Sequence, residues 1–394
     1  MEALLRPFAG CNRFLWNKSL ALQKERLNNK QRCLSYSRLC NLLPSWKKEH
    51  AFLADAPSQA LQQTLKDLSR ALSEAFDKSN PKKFPVFKKR DKSRESFRYP
   101  QGFEIANSRI FLPKIGWVGF RKSRHIKGRP KNVTVFCEID HWYVSIQTEI
   151  KISKEPVHPS TKAVGIDLGI KKMITLSGGE YIPPINAFQS AQQKLARLQR
   201  QLSRKVKFSN NWRKLGKKLQ KLHRHIANIR EDYLQKSSCA LSKNHAIVCI
   251  EDLSVSNMSR SAKGTIENQG RNVKAKSGLN KAILDQGWGE LKRQLGYKQS
   301  WRGGLLVLVP PQHTSQKCSK CGYVDSDNRP SQAVFQCQAC GHTENADTNA
   351  AKNILREGLS RLACPKKGAA LTGHRETVLS DLSRKQEIRS RLVA

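Results

Sequence analysis

Acidic residues are scarce in this chain of 394 residues: Asp and Glu total 31 against 72 Lys and Arg, a formal net charge of +41. That imbalance excludes an ordinary enzyme of small neutral substrates and calls for a polyanionic partner, with nucleic acid the first choice. No apolar run approaches the roughly 18 residues that mark a membrane helix. An amphipathic anchor and a lipidation signal are also missing, which argues against a membrane-surface protein. Met1–Cys11 carries Glu2 and Arg6 and no apolar core, so it does not read as a secretory signal, and the expected location is the cytoplasm. A disulfide framework is absent too. The 11 cysteines are an odd number. Cys11, Cys33, Cys40, Cys137, Cys239, Cys249 and Cys364 stand alone and read as small inert thiols of a reducing compartment. The length allows two or three domains with a sizeable core.

Along the chain, residues 4–77 read as helical, interrupted at Pro44. Ser58 is a candidate N-cap for an amphipathic helix with Leu61, Leu65, Leu68 and Leu72 inward. Residues 81–100 interleave Lys82, Lys83, Lys88, Lys89, Arg90 and Arg98 with Phe84, Phe87, Phe97 and Tyr99. Cations neutralise phosphates and ring faces stack on unpaired bases, so these ten side chains are candidate nucleic-acid contacts; a solvated basic loop is the plainer alternative. Short β-branched or aromatic runs at 109–112, 117–120, 133–138 and 142–147 predict a small antiparallel sheet or barrel. Residues 163–176 read as two apolar strands around a tight turn. Residues 187–243 predict long helices broken near Ser209–Asn211, with 15 Lys or Arg and only Glu231 and Asp232 as acids, a phosphate-tracking composition. Residues 246–250 and 305–309 read as strands, 259–280 as a flexible linker, and the chain from about Gly358 as a basic disordered tail.

Two constellations carry chemistry. Cys318-x-x-Cys321 and Cys337-x-x-Cys340, 15 residues apart, each have a glycine after the second cysteine, Gly322 and Gly341. Four thiolates at that spacing close a tetrahedral zinc site, structural because no position is left open; His342 is a spare donor. The second constellation is acidic. Asp167 interrupts the apolar run Val164–Ile170, Glu251 ends the run Ile247–Ile250, and Asp347 lies where a helix begins. Singly, each has an ordinary explanation as a hydrated strand end or, for Asp347, an N-cap. Together, three carboxylates from separate strand and helix ends can converge on two divalent cations, and hard oxygen donors select Mg²⁺ or Mn²⁺. Such ion pairs serve phosphodiester hydrolysis.

The string GIDLGIKK…IEDL…TSQKCSKCG…CQACG…NADTNAAKNIL resembles the TnpB (OrfB) family, transposon-encoded RNA-guided DNA endonucleases related to compact type V CRISPR effectors. The resemblance spans nearly the whole chain; Gly10–Asn17 is similar to a first recognition helix and Phe97–Pro100 to an RNA-facing strand. It implies a multidomain α+β protein of bacterial or archaeal cytoplasm. The parts would be a helical recognition region at 1–80, a wedge-like β-barrel at 81–157 and an RNase H-like (RuvC-type) α/β nuclease domain at 161–357. That nuclease domain would be interrupted by a helical insertion at 187–243 and a zinc ribbon at 316–343, with 358–394 as the tail. The resemblance assigns Asp167, Glu251 and Asp347 to catalysis and Mg²⁺, and Cys318, Cys321, Cys337 and Cys340 to Zn²⁺. Its implied partners are a guide RNA from the transposon end and double-stranded DNA with a short adjacent motif, bound by a monomeric protein. A basic β-strand that usually precedes the first helix in the family has no counterpart here. Two other functions fit the same features: an RNA-guided DNA binder that does not cut, and a transposase acting on DNA directly.

Overall fold

A computed structural model describes residues 2–90, 93–151, 156–265, 267–363 and 383–393. It forms two units, Met1–Ile152 with Leu382–Ala394, and Ser153–Asp381.

The first unit opens with helices α1 (Glu2–Asn28), α2 (Tyr36–Asn41), α3 (Leu43–Glu49) and α4 (Ser58–Phe76). Pro44 sits in the first turn of α3, where its missing N–H costs nothing, so it starts a helix as well as ending the run before it. Leu61, Leu65, Leu68 and Leu72 of α4 recur three and four residues apart and are all buried. Ser58 is not the cap it resembles. Pro57 takes that position, and the Ser58 hydroxyl accepts from Lys47 Nζ at 2.7 Å.

Strands β1 (Ser96–Tyr99), β2 (Glu104–Ala106), β3 (Arg109–Leu112), β4 (Gly116–Phe120), β5 (Arg129–Glu138) and β6 (His141–Lys151) follow. All four predicted strand segments fall inside them. Val133 and Val135 of β5 and Val144 and Ile146 of β6 alternate inward with period two and share one core with Leu61 and Leu65. The antiparallel sheet has the order β1-β5-β6-C-terminal strand-β4-β3-β2.

The second unit contains β7 (Ala163–Asp167), β8 (Ile174–Leu176), β9 (Tyr181–Ile182), α5 (Ala187–Ser203), α6 (Asn210–Asn244), β10 (Ile247–Glu251), α7 (Val255–Met258), α8 (Val273–Gln286), α9 (Trp288–Arg302), β11 (Leu305–Val309), β12 (Val334–Gln336), β13 (Thr343–Asn345) and α10 (Ala346–Ala363). Its main sheet has the order β11-β10-β7-β8-β9, with β11, β10 and β7 mutually parallel. The sequence 163–176 folds as the expected strand pair, β7 antiparallel to β8. Residues 273–280, expected to be linker, are the start of α8. Lys276 Nζ donates to Met258 O at 2.7 Å and Asn280 Nδ2 to Ser259 O at 3.0 Å, so tertiary bonds to the preceding loop anchor a helix that Gly278 weakens.

Two corrections apply to the expected disordered tail. α10 continues to Ala363, and Ser383–Val393 is a strand. Ser383–Arg391 pairs with Lys151–Tyr143 of β6, and Leu392 and Val393 pair with Phe120 and Gly119 of β4. Backbone pairing to two strand edges needs no apolar periodicity in the added segment, which is why its sequence did not announce it. Residues 364–382, with Cys364, lie outside the described residues.

Helix α10 lies against β7, and one glycine permits the contact. A Cβ added at Gly165 would stand 2.0 Å from Ala351 O and 2.7 Å from Leu355 N, both backbone atoms of α10. Gly165→Ala is expected to push α10 off the sheet and lower Tm by several degrees, since overpacking of a tight contact costs about 1–3 kcal/mol. Thermal unfolding of the variant measures this; an unchanged Tm would contradict the close approach.

Between α6 and α9 runs a buried polar seam. Lys298 Nζ donates to Ser238 Oγ at 2.6 Å and to Gln235 O at 2.9 Å, and Ser238 Oγ donates to Gln294 Oε1 at 2.8 Å. Burial lowers the Lys298 ammonium from the ordinary 10.5 to about 8. With the folded value depressed, the folded chain favours the neutral lysine more than the unfolded chain does. Its stabilising contribution is full above 10.5 and is lost as pH falls through 8. Lys298→Met should therefore gain more stability relative to the parent at pH 7 than at pH 9.5. Paired thermal melts at the two pH values test this, and equal shifts would count against it.

Candidate functional site

The three carboxylates singled out in the sequence converge in the second unit. Asp167 ends β7 and Glu251 ends β10, neighbouring parallel strands whose register pairs Ile166 with Ile250. Both acids therefore emerge at the same C-terminal edge of the sheet. Asp347 occupies the first turn of α10, the helix that Gly165 admits against β7. Its carboxylate does not cap that helix. Asn345 Oδ1 does, accepting from Thr348 N at 3.3 Å.

The electrostatics are those of a gathered acid cluster. Asp167 is pushed up from 3.8 to about 7, first by burial and then by repulsion from Glu251 and Asp347; Arg329 and the Leu168 backbone N–H offset part of this. Glu251 is 8% exposed and is also raised by burial, with partial relief from the Thr314 hydroxyl, which donates to Glu251 Oε1 at 2.5 Å. The counter-ion is Arg329, whose Nη2 lies 3.6 Å from Asp347 Oδ1. Arg329 offsets charge at Asp347 and Asp167, and the carboxylate oxygens brought together here are the hard donors that divalent cations take.

Thr314 and Arg329 were not legible in the sequence as site residues. Thr314 opens the segment TSQKCSKCG, in which only the cysteines carry a recognisable chemistry. Arg329 is one cation among 72, and only its position after the buried Asn328 distinguishes it. Asn328 Nδ2 donates to Gln316 O at 2.9 Å and its Oδ1 accepts from Gln338 N at 2.9 Å. That side chain ties the two cysteine knuckles together and holds the next residue toward Asp347.

The cysteines form the second centre. The four Sγ atoms of Cys318, Cys321, Cys337 and Cys340 lie within 4.8 Å of one another, with Cys318–Cys340 at 3.7 Å and Cys321–Cys337 at 3.6 Å. A Zn–S bond of about 2.3 Å implies tetrahedron edges of about 3.8 Å, so the cluster fits the ion without rearrangement. Each pair sits in a knuckle: Gly322 N donates to Cys318 O and Gly341 N to Cys337 O, both at 3.0 Å. The two glycines hold φ +84° and +67°, the left-handed backbone that glycine adopts freely. Burial raises the Cys337 thiol, but backbone N–H groups of Cys340 and Ala339 and the neighbouring thiols outweigh it and pull it to about 7. His342 is turned away as a donor, its Nε2 lying 3.5 Å from Glu344 Oε2. The centre is coupled to α10 through Asn349, which donates to Lys317 O at 2.9 Å and accepts from Ser319 N at 2.8 Å. Asn353 Nδ2 adds a bond to Thr314 O at 3.0 Å.

The predicted nucleic-acid segment divides in two. Phe97 and Tyr99 are 3% and 0% exposed and belong to the core of the first unit, so they cannot stack on a base; the Tyr99 hydroxyl donates to Pro113 O at 3.1 Å. Their alternation with charged residues is the inward and outward alternation of β1. Phe84 packs on the cluster of Trp16, Leu20, Leu68 and Leu72. Lys88 lies 3.8 Å over the Trp16 ring, and Arg98 is held by Thr134 at 3.3 Å and Asp67 at 3.6 Å. Lys82, Lys83, Phe87, Lys89 and Arg90 remain exposed, with Lys82 paired to Glu74 at 2.8 Å. Among the described residues no helix is long and apolar enough to cross a membrane.

Residues 141–262 match the OrfB_IS605 family model, described as a probable transposase. Residues 288–354 match a Cas12f1-like TNB domain, and residues 1–32 a helix-turn-helix domain. The chain is 55% identical over 367 residues to the putative RNA-guided DNA endonuclease InsQ of Escherichia coli (strain K12), covering 92% of this chain and 90% of that one. It is 35% identical over 383 residues to a putative RNA-guided DNA endonuclease of Streptomyces pristinaespiralis, covering 94% and 90%. A solved Cas12f1–sgRNA–target DNA complex aligns over 89% of this chain and 93% of that chain at 19% identity and a TM-score of 0.34. Identity of 55% and 35% over nine-tenths or more of both chains, joined to family matches over the acid-bearing and cysteine-bearing segments, shows that the chain belongs to the TnpB (OrfB) family.

Proposed function

We propose that this protein is an RNA-guided DNA endonuclease of a transposable element, hydrolysing phosphodiesters at Asp167, Glu251 and Asp347. The observation that carries the reading is the convergence of these acids at one sheet edge, with Asp167 pushed up to about 7 by burial and by the other two. In a chain of net charge +41, an acid cluster beside bound phosphates is repulsive unless cations bridge the two. The 55% identical relative, a putative RNA-guided DNA endonuclease, supports the same reading.

The core is read as RNase H-like (RuvC-type), from the mixed sheet with parallel β11, β10 and β7 and antiparallel β8 and β9. Domain assignments follow: residues 1–80 for recognition, 81–157 with the C-terminal strand as the wedge-like sheet, 161–357 as the nuclease, with 187–243 and 316–343 inserted. The partners are a guide RNA from the transposon end and double-stranded DNA carrying a short adjacent motif, bound to one protein copy.

Asp167, Glu251 and Asp347 would hold Mg²⁺ or Mn²⁺, which supplies Lewis acidity and an acidified water at the phosphate. The chain's own residues set up that chemistry. Thr314 fixes one Glu251 oxygen and leaves the other carboxylate oxygen for a cation. Arg329 balances Asp347 and presents a guanidinium where charge develops on the phosphoryl oxygens. The cysteine centre, filled with Zn²⁺, holds Asn328 and therefore Arg329 in place. Lys82, Lys83, Phe87, Lys89 and Arg90 offer an exposed contact for the nucleic-acid backbone.

The test is cleavage of a target plasmid with a randomised flank by the chain purified with its transposon-end RNA and Mg²⁺. Cleavage that needs the RNA and Asp167 supports the reading. Cleavage insensitive to ribonuclease would favour direct transposase action, and RNA-dependent binding without cleavage would favour a regulator.

A further inference from the structure

The turn between α5 and α6, residues 204–209, is where the basic helical hairpin ends. The two helices pack through Leu195, Leu222 and Ile226, so the hairpin's apolar core is satisfied without its tip. Yet the tip exposes two large apolar side chains, Val206 at 79% and Phe208 at 71%. Phe208 also adopts φ +67°, a left-handed backbone that a bulky residue takes only at a cost. Trp212 stands beside it, ring centroids 5.6 Å apart, in the first turn of α6. Ser209 caps that helix, its hydroxyl accepting from Trp212 N at 3.2 Å, so the indole is carried on a fixed turn. Arg204, Lys205, Lys207, Arg213, Lys214 and Lys217 flank the rings in sequence and are exposed. From Tyr181 to Arg230 the sequence has no Asp or Glu.

Each half of this arrangement alone would be ordinary. Cations without rings follow the backbone of any duplex, and exposed rings without cations suit another protein. The combination matches a base that lies outside a stack, flanked by its own phosphates. We propose that the hairpin tip is a binding site for an unpaired nucleotide of a single-stranded polynucleotide, with Phe208 and Trp212 taking the base face and the surrounding Lys and Arg taking the flanking phosphates. The site is separate from the carboxylate cluster and rests only on the nucleic-acid part of the function proposed above. RNA and DNA share the recognised chemistry.

Photocrosslinking tests the site locally, independent of cleavage. The full chain is irradiated with oligonucleotides of about fifteen nucleotides, the upper range of one single-strand site, carrying a central 5-iodouracil. Three probes are used: single-stranded RNA, single-stranded DNA and blunt duplex DNA. Crosslinks are expected in the peptide containing Phe208 and Trp212 with one or both single strands, identifying the source, and not with the duplex. Phe208→Ala is expected to weaken single-strand binding about tenfold with an unchanged salt slope, as for loss of one stacked base. Phe208→Trp should retain it. The paired change Lys205→Ala, Lys207→Ala should instead flatten the slope of log K against log salt by about 0.7 per lost phosphate contact. No crosslink in that peptide, equal crosslinking with the duplex, or a Phe208→Ala affinity within twofold of the parent would overturn the proposal. A chain that crosslinks here but never cuts would refute the nuclease reading and leave this site standing.

Discussion

Asp167→Ala is expected to abolish RNA-dependent plasmid cleavage, by about a thousandfold or more, while guide and target binding stay within a few-fold of the parent. The magnitude follows from the several kcal/mol of charge stabilisation attributed to divalent cations and the 1.36 kcal/mol that each tenfold in rate represents. Binding survives because one carboxylate contributes nothing attractive to a polyanion held by 72 basic residues. The pH dependence has a definite sign. Asp167 is protonated below about 7, so cleavage at limiting Mg²⁺ should fall as pH drops from 8 to 6 and should recover with added Mg²⁺. In the metal-free protein the sign reverses. A carboxyl whose folded value is raised from 3.8 to about 7 contributes stability that is fully present below 3.8 and lost as pH rises through 7. Asp167→Asn should therefore raise Tm at pH 8 with chelator present, and much less at pH 5. Cleavage by Asp167→Ala at the parent rate would refute the carboxylate assignment.

Cys337→Ser carries the second large effect. Tetrahedral thiolate zinc sites hold their ion with an apparent free energy of about 10–16 kcal/mol in small peptides, so losing one ligand loses most of the order of a short loop. Zinc content should fall from one ion per chain toward zero, and protease should cut within residues 316–343, leaving the remainder folded. Cleavage activity should be lost as well, although no cysteine touches the carboxylates. The reason is mechanical. Asn328 links the two knuckles and positions Arg329 beside Asp347, while Asn349 bonds the first knuckle to the helix that carries Asp347. A variant that keeps full activity without zinc would show that the ribbon acts only on distant nucleic acid.

Several features were readable without coordinates because their physics is local. The strand segments within β3 to β6 followed from β-branched and aromatic runs between turn residues, and a break between α5 and α6 was expected near Ser209–Asn211. The cysteine knuckles depend on two-residue spacings and following glycines, which fix ligand geometry within one turn. The acids stood out because a carboxylate at the end of an apolar run is costly in a chain so poor in acids. Net charge identified the class of partner.

Other features required the packed chain. Phe97 and Tyr99 look like base-stacking rings in sequence, yet β1 turns them into the core, because the strand's inward face is set by its pairing with β5. Ser58 lost its capping role to the loop geometry at Pro57. Gly165 reads as an ordinary strand residue until α10 is laid within 2.0 Å of its missing Cβ. Thr314 and Arg329 lie 63 and 18 residues from the acids they touch, Glu251 and Asp347, so no local pattern pairs them. The C-terminal strand is ordered by two strand edges more than 200 residues upstream of it. The sequence by itself determined the kinds of groups present and their local geometry. Which groups meet was decided by the tertiary structure, since contacts between distant segments depend on sheet register and helix packing, which only the assembled chain defines.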